Sequence, residues 1–231
     1  MTKNVFITGA NRGIGLELTR QYLAAGHKVF ASARHPSTEG LSRLTERYPN
    51  NLKTVMLDVT DESNIQTVAG SLESTSIDLL INNAGLFHSK HEDFSSLNPD
   101  IWIEEFRVNS IAPFLVTRAL KSNLANANSS VVGMISSKMG SMGDNQSGGS
   151  YSYRSSKAAL NAVSVSLAND LSDLDISVVA LHPGWVQTDM GGPNGLIDVE
   201  TSATGLKAIL DKAGKAESGK FYDYSGKQLP W

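Results

Sequence analysis

The stretch "NVFITGANRGIGLELTRQYLAAG", residues 4–26, passes from a short run rich in β-branched and aromatic residues, through a glycine-rich turn, into a segment of helical length. A strand that feeds a helix through glycines is suited to holding phosphate. Glycine lets the backbone turn tightly and approach a pyrophosphate, and the helix start offers free N–H groups and the positive end of its dipole. The glycines Gly9, Gly13 and Gly15 are separated by three residues and then one, which is not the G-x-G-x-x-G order of the common dinucleotide fingerprint. The turn's candidate phosphate contacts are Gly9, Asn11, Arg12, Gly13, Ile14 and Gly15.

Outward from this turn the same alternation continues. Runs rich in β-branched residues recur at 28–32, 53–59, 77–82, 130–136 and 176–181, with stretches of helical length between them. The runs are nearly continuously apolar, as expected where both faces of a parallel sheet are covered. The pattern predicts an α/β fold, a doubly wound parallel sheet of the Rossmann type with about seven strands, in a single domain over 1–231. Two segments interrupt it, "HSKHEDFSSLNPD" (88–100) and "KMGSMGDNQSGGS" (138–150). Both follow strands, on the edge where such folds bind ligands.

Composition narrows the partners. The formal net charge is -3 and no basic block is present, which argues against nucleic acid and against an anionic membrane surface. There is no cysteine, so disulfides, thiolate metal sites and a cysteine nucleophile are excluded. "MTKNVFITGA" enters a strand directly and lacks the pattern of a signal peptide, and no apolar run has the length of a membrane helix. The expectation is a cytoplasmic protein with a small-molecule partner. His88 and His91 with Glu92 and Asp93 read as a hydrated loop, and no metal is expected.

NAD sites place an acid about 20 residues beyond the glycines to hold the ribose hydroxyls. Here that window reads "FASARHP", with Arg34 and no acid, while Arg12 lies inside the turn itself. Two guanidiniums suit a 2'-phosphate, since arginine offers paired donors to phosphate oxygens; the alternative is two solvated surface arginines. The expected cofactor is therefore NADP, as NADPH. Asp58, followed by Val59, can accept from an adenine amino group, and Asn83, Ala84 and Gly85 of "NNAG" let the backbone turn beside the cofactor.

In "SYSYRSSKAALNA", residues 150–162, helical spacing puts Tyr153 and Lys157 on one face and pairs Tyr151 with Ser155 instead. The alternative for the Tyr153 and Lys157 pair is a solvated helix surface. The helix that follows carries Ala158, Ala159, Ala162, Val163 and Leu167, small residues that can pack on the sheet or on a second copy in a homodimer.

Taken in order, "TGANRGIG" (8–15), Asp58 with "DV", "NNAG" (82–85), Asn109 in "VNSIAP", "ISS" (135–137), "YRSSK" (153–157) and "HPGWVQTDM" (182–190) resemble the short-chain dehydrogenase/reductase family, over essentially the whole chain. The "NRGIG" turn and the closing "GKQLPW" (226–231) are similar to carbonyl reductases and to bacterial C-factor proteins. The resemblance implies an NADPH-dependent reductase of aldehydes, ketones or diketones, with Tyr153 as proton donor and Lys157 both acidifying it and holding the nicotinamide ribose. A tyrosine titrates near pH 10, and an ammonium about 4 to 5 Å away at an effective dielectric near 20 favours the phenolate by roughly 3 kcal/mol, about two pKa units. In the family a serine hydroxyl binds the substrate oxygen, here Ser137, with Ser136 the alternative because the following loop is longer than in many relatives. Asn109 matches the family's asparagine that binds a water linking the lysine to solvent. Pro183 and Gly184 would turn under the nicotinamide, Val186 would meet the carboxamide by its backbone, and Thr188 would add a hydroxyl; His182 is expected to be structural. Phe87, Met139, Met142, Tyr151, Trp185 and Met190 would line an open substrate site. The second reading is a nucleotide-binding signalling or sensor protein in which catalysis is incidental.

Replacing Arg34 by Asp should reverse the cofactor preference from NADPH to NADH, by removing a phosphate partner and adding a repelling charge. Titration calorimetry with both cofactors checks this, and equal dissociation constants in the unaltered protein would refute the arginine argument.

Overall fold

The first strand, β1 (Asn4–Thr8), is apolar to both sides: Val5 and Ile7 enter one core and Phe6 the other, all fully buried. A strand of that kind is stable only as the middle of a covered sheet. In the computed structural model, which describes residues 2–90 and 92–231, β1 lies between β2 (Lys28–Ala33) and β4 (Leu79–Asn82), with Val5 paired to Val29 on one side and Leu79 on the other. With β3 (Leu52–Met56), β5 (Ser130–Ile135), β6 (Ile176–His182) and β7 (Phe221–Asp223), the parallel order is β3-β2-β1-β4-β5-β6-β7. The order reverses between β1 and β4, and the crevice at their carboxyl ends is where a doubly wound sheet binds ligands.

Helices α1 (Gly13–Ala24) and α2 (Glu39–Arg47), with α8 (Val199–Lys212), cover the face into which Val5 and Ile7 point. The Phe6 face is covered by α3 (Glu62–Gly70), α5 (Ala112–Ala119), α6 (Lys121–Ala125) and α7 (Tyr151–Asp170). Helix α4 (Pro99–Phe106) runs into α5 through one widened, π-type turn, Arg107–Ile111. Pro113 causes part of this irregularity, because it has no N–H to give the carbonyl of Asn109 four residues back. None of the described helices is long and apolar enough to cross a membrane.

Two expectations change in detail. The third strand ends at Met56, so Asp58 and Val59 lie beyond it in the turn leading to α3, not at its last residues. The seventh strand, Phe221–Asp223, is too short to show as a sequence run, and it exists through its pairing with β6. After it the chain folds back: Leu229 N donates to Phe221 O at 2.8 Å, and Trp231 stacks on Phe221 with centroids 5.5 Å apart. The Trp231 carbonyl then accepts from Gly143 N at 2.9 Å and from Ser141 Oγ at 3.0 Å, tying "GKQLPW" to the loop that precedes α7.

The glycine turn is pinned as tightly as its spacing suggests. Gly9 and Gly13 have φ of 65° and 52°, in the left-handed region. A Cβ on Gly15 would lie 2.3 Å from Gly9 O and 2.5 Å from Asn83 Nδ2. Gly15→Ala should therefore cost about 3 kcal/mol through backbone displacement, lowering Tm by roughly 6 to 12 °C; thermal unfolding followed by circular dichroism measures it, and an unchanged Tm would show that the turn has slack.

Candidate active site

Helix α7 begins at the crevice, and its start is held from outside. Ser150 precedes it with φ of 47°, and the Glu92 carboxylate accepts from Ser152 N at 2.8 Å and Ser152 Oγ at 2.5 Å. An anion on the first turn suits both the free N–H groups and the helix dipole. The two tyrosines then separate as their spacing predicts: Tyr153 is 7% exposed and faces the crevice, while Tyr151 is 39% exposed. Lys157, one turn on, is also buried; its Nζ lies 5.8 Å from the Tyr153 ring centroid and donates to Ile135 O at 2.9 Å.

The two serines after β5 part in the same way. Ser136 Oγ donates to Asn161 Oδ1 at 2.6 Å, which commits it to the underside of α7. Ser137 Oγ accepts from Met139 N at 3.1 Å and stands beside the Tyr153 hydroxyl, whose acidity it increases. The loop after them is packed hard on the helix, since a Cβ on Gly140 would lie 2.7 Å from the Lys157 backbone.

The expected acidification of Tyr153 is not what the folded chain alone displays. Burial is the largest influence and pushes the phenol up to about 12, with Ser137 pulling the other way. Burial likewise pushes Lys157 down to about 8, against the charge of Glu105. Both charged forms lose water in this pocket, and that loss outweighs the attraction anticipated from spacing. At neutral pH the pair is a protonated phenol beside an ammonium.

Asn109, in the widened turn, braces the chain after β4. Its Oδ1 accepts from Leu86 N and its Nδ2 donates to Leu86 O, both at 2.9 Å, and Nδ2 also donates to Ser156 Oγ at 3.1 Å. Two residues beyond Leu86, His88 N donates to Glu105 of α4 at 2.7 Å, and Ser89 N and Ser89 Oγ donate to the same carboxylate at 2.9 and 3.0 Å. Phe87, between these two anchors, stacks on the Tyr153 ring with centroids 4.1 Å apart. Glu105 and Glu92 were not foreseen from sequence; a carboxylate in "EEF" or "HEDF" carries no mark of burial or of a distant partner. His88 Nδ1 meets Glu104 Oε2 at 3.1 Å, and His91 lies outside the described residues.

At the nucleotide end, Asn83 Nδ2 donates to Thr8 O at 2.9 Å and Gly9 O at 3.0 Å, and Thr8 Oγ1 accepts from Asn83 N and Ala84 N, each at 3.0 Å. Gly85 lies close to two of the site's side chains: a Cβ there would be 3.2 Å from Asn109 Oδ1, a tight contact, and 3.6 Å from Lys157 Nζ. Arg12, the residue before α1, makes no side-chain cap, and the first turn carries no acid, so among the described residues neither supplies an acceptor to the N–H groups from Gly13 to Gly15. Arg34 is exposed, as Arg12 is. Asp58 Oδ1 is taken by Thr60 N and Oγ1, at 2.8 and 2.7 Å, and the Thr60 hydroxyl holds its carboxyl below the usual range, helped by Arg34 and Arg107. A phosphate-bearing dinucleotide fits this set: helix-start N–H groups, a glycine cradle and two exposed arginines, of which Arg12 is paired with Asp189 at 2.9 Å and would exchange that partner for phosphate.

The loop after β6 is held largely by its own bonds. Thr188 Oγ1 accepts from Gly191 N at 3.0 Å, so it is engaged inside its own turn. Next to it Asp189 pairs with Arg12 at 2.9 Å, and Lys90 Nζ donates to Asp189 O at 3.1 Å, joining three segments across the crevice. Pro183 O accepts from Ser202 Oγ at 2.6 Å, Gly184 has φ of 88°, and Val186 is buried. Burial pushes His182 down to about 4, which keeps it neutral. Tyr151, Met142 and Trp185 are exposed, while Phe87, Met139 and Met190 are half-buried.

Comparison with known proteins gives a consistent picture. A family model for short chain dehydrogenase matches residues 3–195. The C-signal protein of Myxococcus xanthus is 38% identical over 159 residues, 67% of this chain and 93% of that one. Among solved structures, NADPH-bound carbonyl reductase from chicken fatty liver superposes with a TM-score of 0.92 at 35% identity, covering 100% of this chain and 99% of the other. Carbonyl reductase Sniffer of D. melanogaster does so with a TM-score of 0.94 at 30% identity, covering 100% of both.

Proposed function

We propose, of a chain that belongs to the short-chain dehydrogenase family, that it is an NADPH-dependent reductase of small carbonyl compounds. One observation carries the reading: a buried phenol, Tyr153, beside the Ser137 hydroxyl and the Lys157 ammonium, at the sheet edge that also bears the glycine turn. Gly9, Gly13, Gly15 and the α1 start would hold the pyrophosphate, Arg12 and Arg34 the 2'-phosphate, and Asp58 the adenine, with Gly184 and Val186 beside the nicotinamide. When bound, the nicotinamide supplies the hydride, and carbonyl reduction then needs one proton on oxygen. Ser137 holds that oxygen, Tyr153 gives its proton to it, and the Lys157 ammonium lowers the cost of the phenolate left behind. A phenol held near 12 keeps its proton at neutral pH, and its release to the substrate oxygen depends on Ser137 and the Lys157 ammonium. Phe87 shields the exchange from water by covering the ring.

The exposed side chains of Met142, Tyr151 and Trp185 support a broad substrate range of apolar or aromatic aldehydes and diketones. Such contacts discriminate by only about 1 to 3 kcal/mol per methylene. The likeness to C-signal favours a second reading, a nucleotide-dependent signalling protein. The two separate on turnover: a sensor has no need of the Tyr153 proton.

Tyr153→Phe should lower kcat by about 100-fold or more while NADPH binds as before, and Tyr151→Phe should leave kcat nearly unchanged. Steady-state kinetics with an aldehyde and diketone panel decides, and equal losses from both variants would sink the assignment. The pH profile provides a separate check. Lys157, depressed by burial, loses its charge as pH rises through about 8, so kcat/KM for reduction should be level below that pH and fall above it. A profile level through that range would remove Lys157 from the chemistry.

A further inference from the structure

Glu105 is a fully buried carboxylate in α4 that neither cofactor nor substrate is expected to touch. Its hydrogen bonds come from three neutral donors, His88 N, Ser89 N and the Ser89 hydroxyl, which reaches both carboxylate oxygens at 3.0 Å. Enclosing a carboxyl group is costly unless its hydrogen bonds offset the lost water, and here all of them go to one short segment, so its effect lies in what that segment holds. The groups around it narrow that use. On its own helix, Glu104 turns away to His88 Nδ1. In the segment after β4, Lys90 turns to the Asp189 carbonyl. From α7 come Tyr153 and Lys157, and both feel its charge. The backbone it grips adjoins Phe87, whose ring lies 4.1 Å from that of Tyr153.

We propose that Glu105 is a positioning residue for the reaction: through His88 and Ser89 it seats Phe87 against Tyr153, and it supplies the buried countercharge for Lys157. The role in turnover rests on the reductase reading, whereas the countercharge is testable without turnover. The segment 86–89 is thus held twice, by Asn109 at Leu86 and by Glu105 at His88 and Ser89, with the ring that packs on the phenol in between. Removing a negative charge beside a proton-binding pair lowers each of the pair's apparent pKa values.

The test uses the full chain labelled with carbon-13 lysine, with the Lys157 resonance assigned through Lys157→Arg. Glu105→Gln keeps the acceptor shape and removes the charge, so the Lys157 midpoint should move to lower pH, and the alkaline fall in reduction should move with it. Glu105→Asp keeps the charge on a shorter arm; it should leave the midpoint near that of the unaltered protein while lowering kcat about tenfold or more through misplacement of Phe87 and Tyr153, with little change in KM for NADPH. A merely structural glutamate would lower stability in both variants and leave the Lys157 midpoint in place, and that result overturns the proposal. An unaltered protein that reduces no carbonyl would overturn the reductase reading instead, while the midpoint in Glu105→Gln would still decide the countercharge.

Discussion

The amide of Asn83 bridges the two chain ends that part at the middle of the sheet, donating to Thr8 O and Gly9 O. Two parallel strands that leave in opposite directions expose backbone carbonyls at their ends, and a buried carbonyl without a donor is expensive. One side chain satisfies both, and Thr8 Oγ1 returns the bond to Asn83 N and Ala84 N. The glycine turn, the start of α1 and the segment leading to Phe87 all take their places from this knot. Gly15 shows how little freedom remains, since even a methyl group would strike both Gly9 O and the Asn83 amide.

What surrounds Tyr153 is a balance between charge and water. Enclosing a tyrosine and a lysine side by side favours neither ionised form, and the phenol moves up while the amine moves down. A phenol in this state keeps its proton at neutral pH. The charge that opposes the desolvation comes from outside α7. Glu105 acts from α4 on Lys157, while at Tyr153 it adds to the effect of burial and the Ser137 hydroxyl opposes it.

The sequence made the fold legible because the strands are apolar to both sides, a pattern that few other structures need: Val5, Phe6 and Ile7 in succession admit only a covered sheet. The seventh strand was illegible for the opposite reason, being three residues whose identity as a strand comes from β6. Helical spacing separated Tyr153 from Tyr151 correctly, since period alone decides which face a residue takes. It could not choose between Ser136 and Ser137 with the same authority, because that choice is made by Asn161, a residue on the following helix. Arg12 was readable as a cation at the glycine turn, but its partner Asp189 is 177 residues away, and no local pattern announces such a pair. Glu105 was hidden in the same way, since an acidic residue in a short helix looks solvated until Ser89 and His88 are folded over it.

The strap formed by residues 226–231 has a bearing on the order in which the molecule is made. The loop between Ser137 and Tyr153 is fastened by the carbonyl of Trp231, across 90 residues of chain from Ser141. Synthesis proceeds from the N-terminus, and contacts of long separation close late. A nascent chain can thus assemble the glycine turn and most of the sheet while the loop beside Ser137 still lacks its fastening. The glycine turn can thus be built before residues 226–231 exist, so a chain not yet synthesised that far would hold a ligand cradle while the loop beside Ser137 was still unfastened.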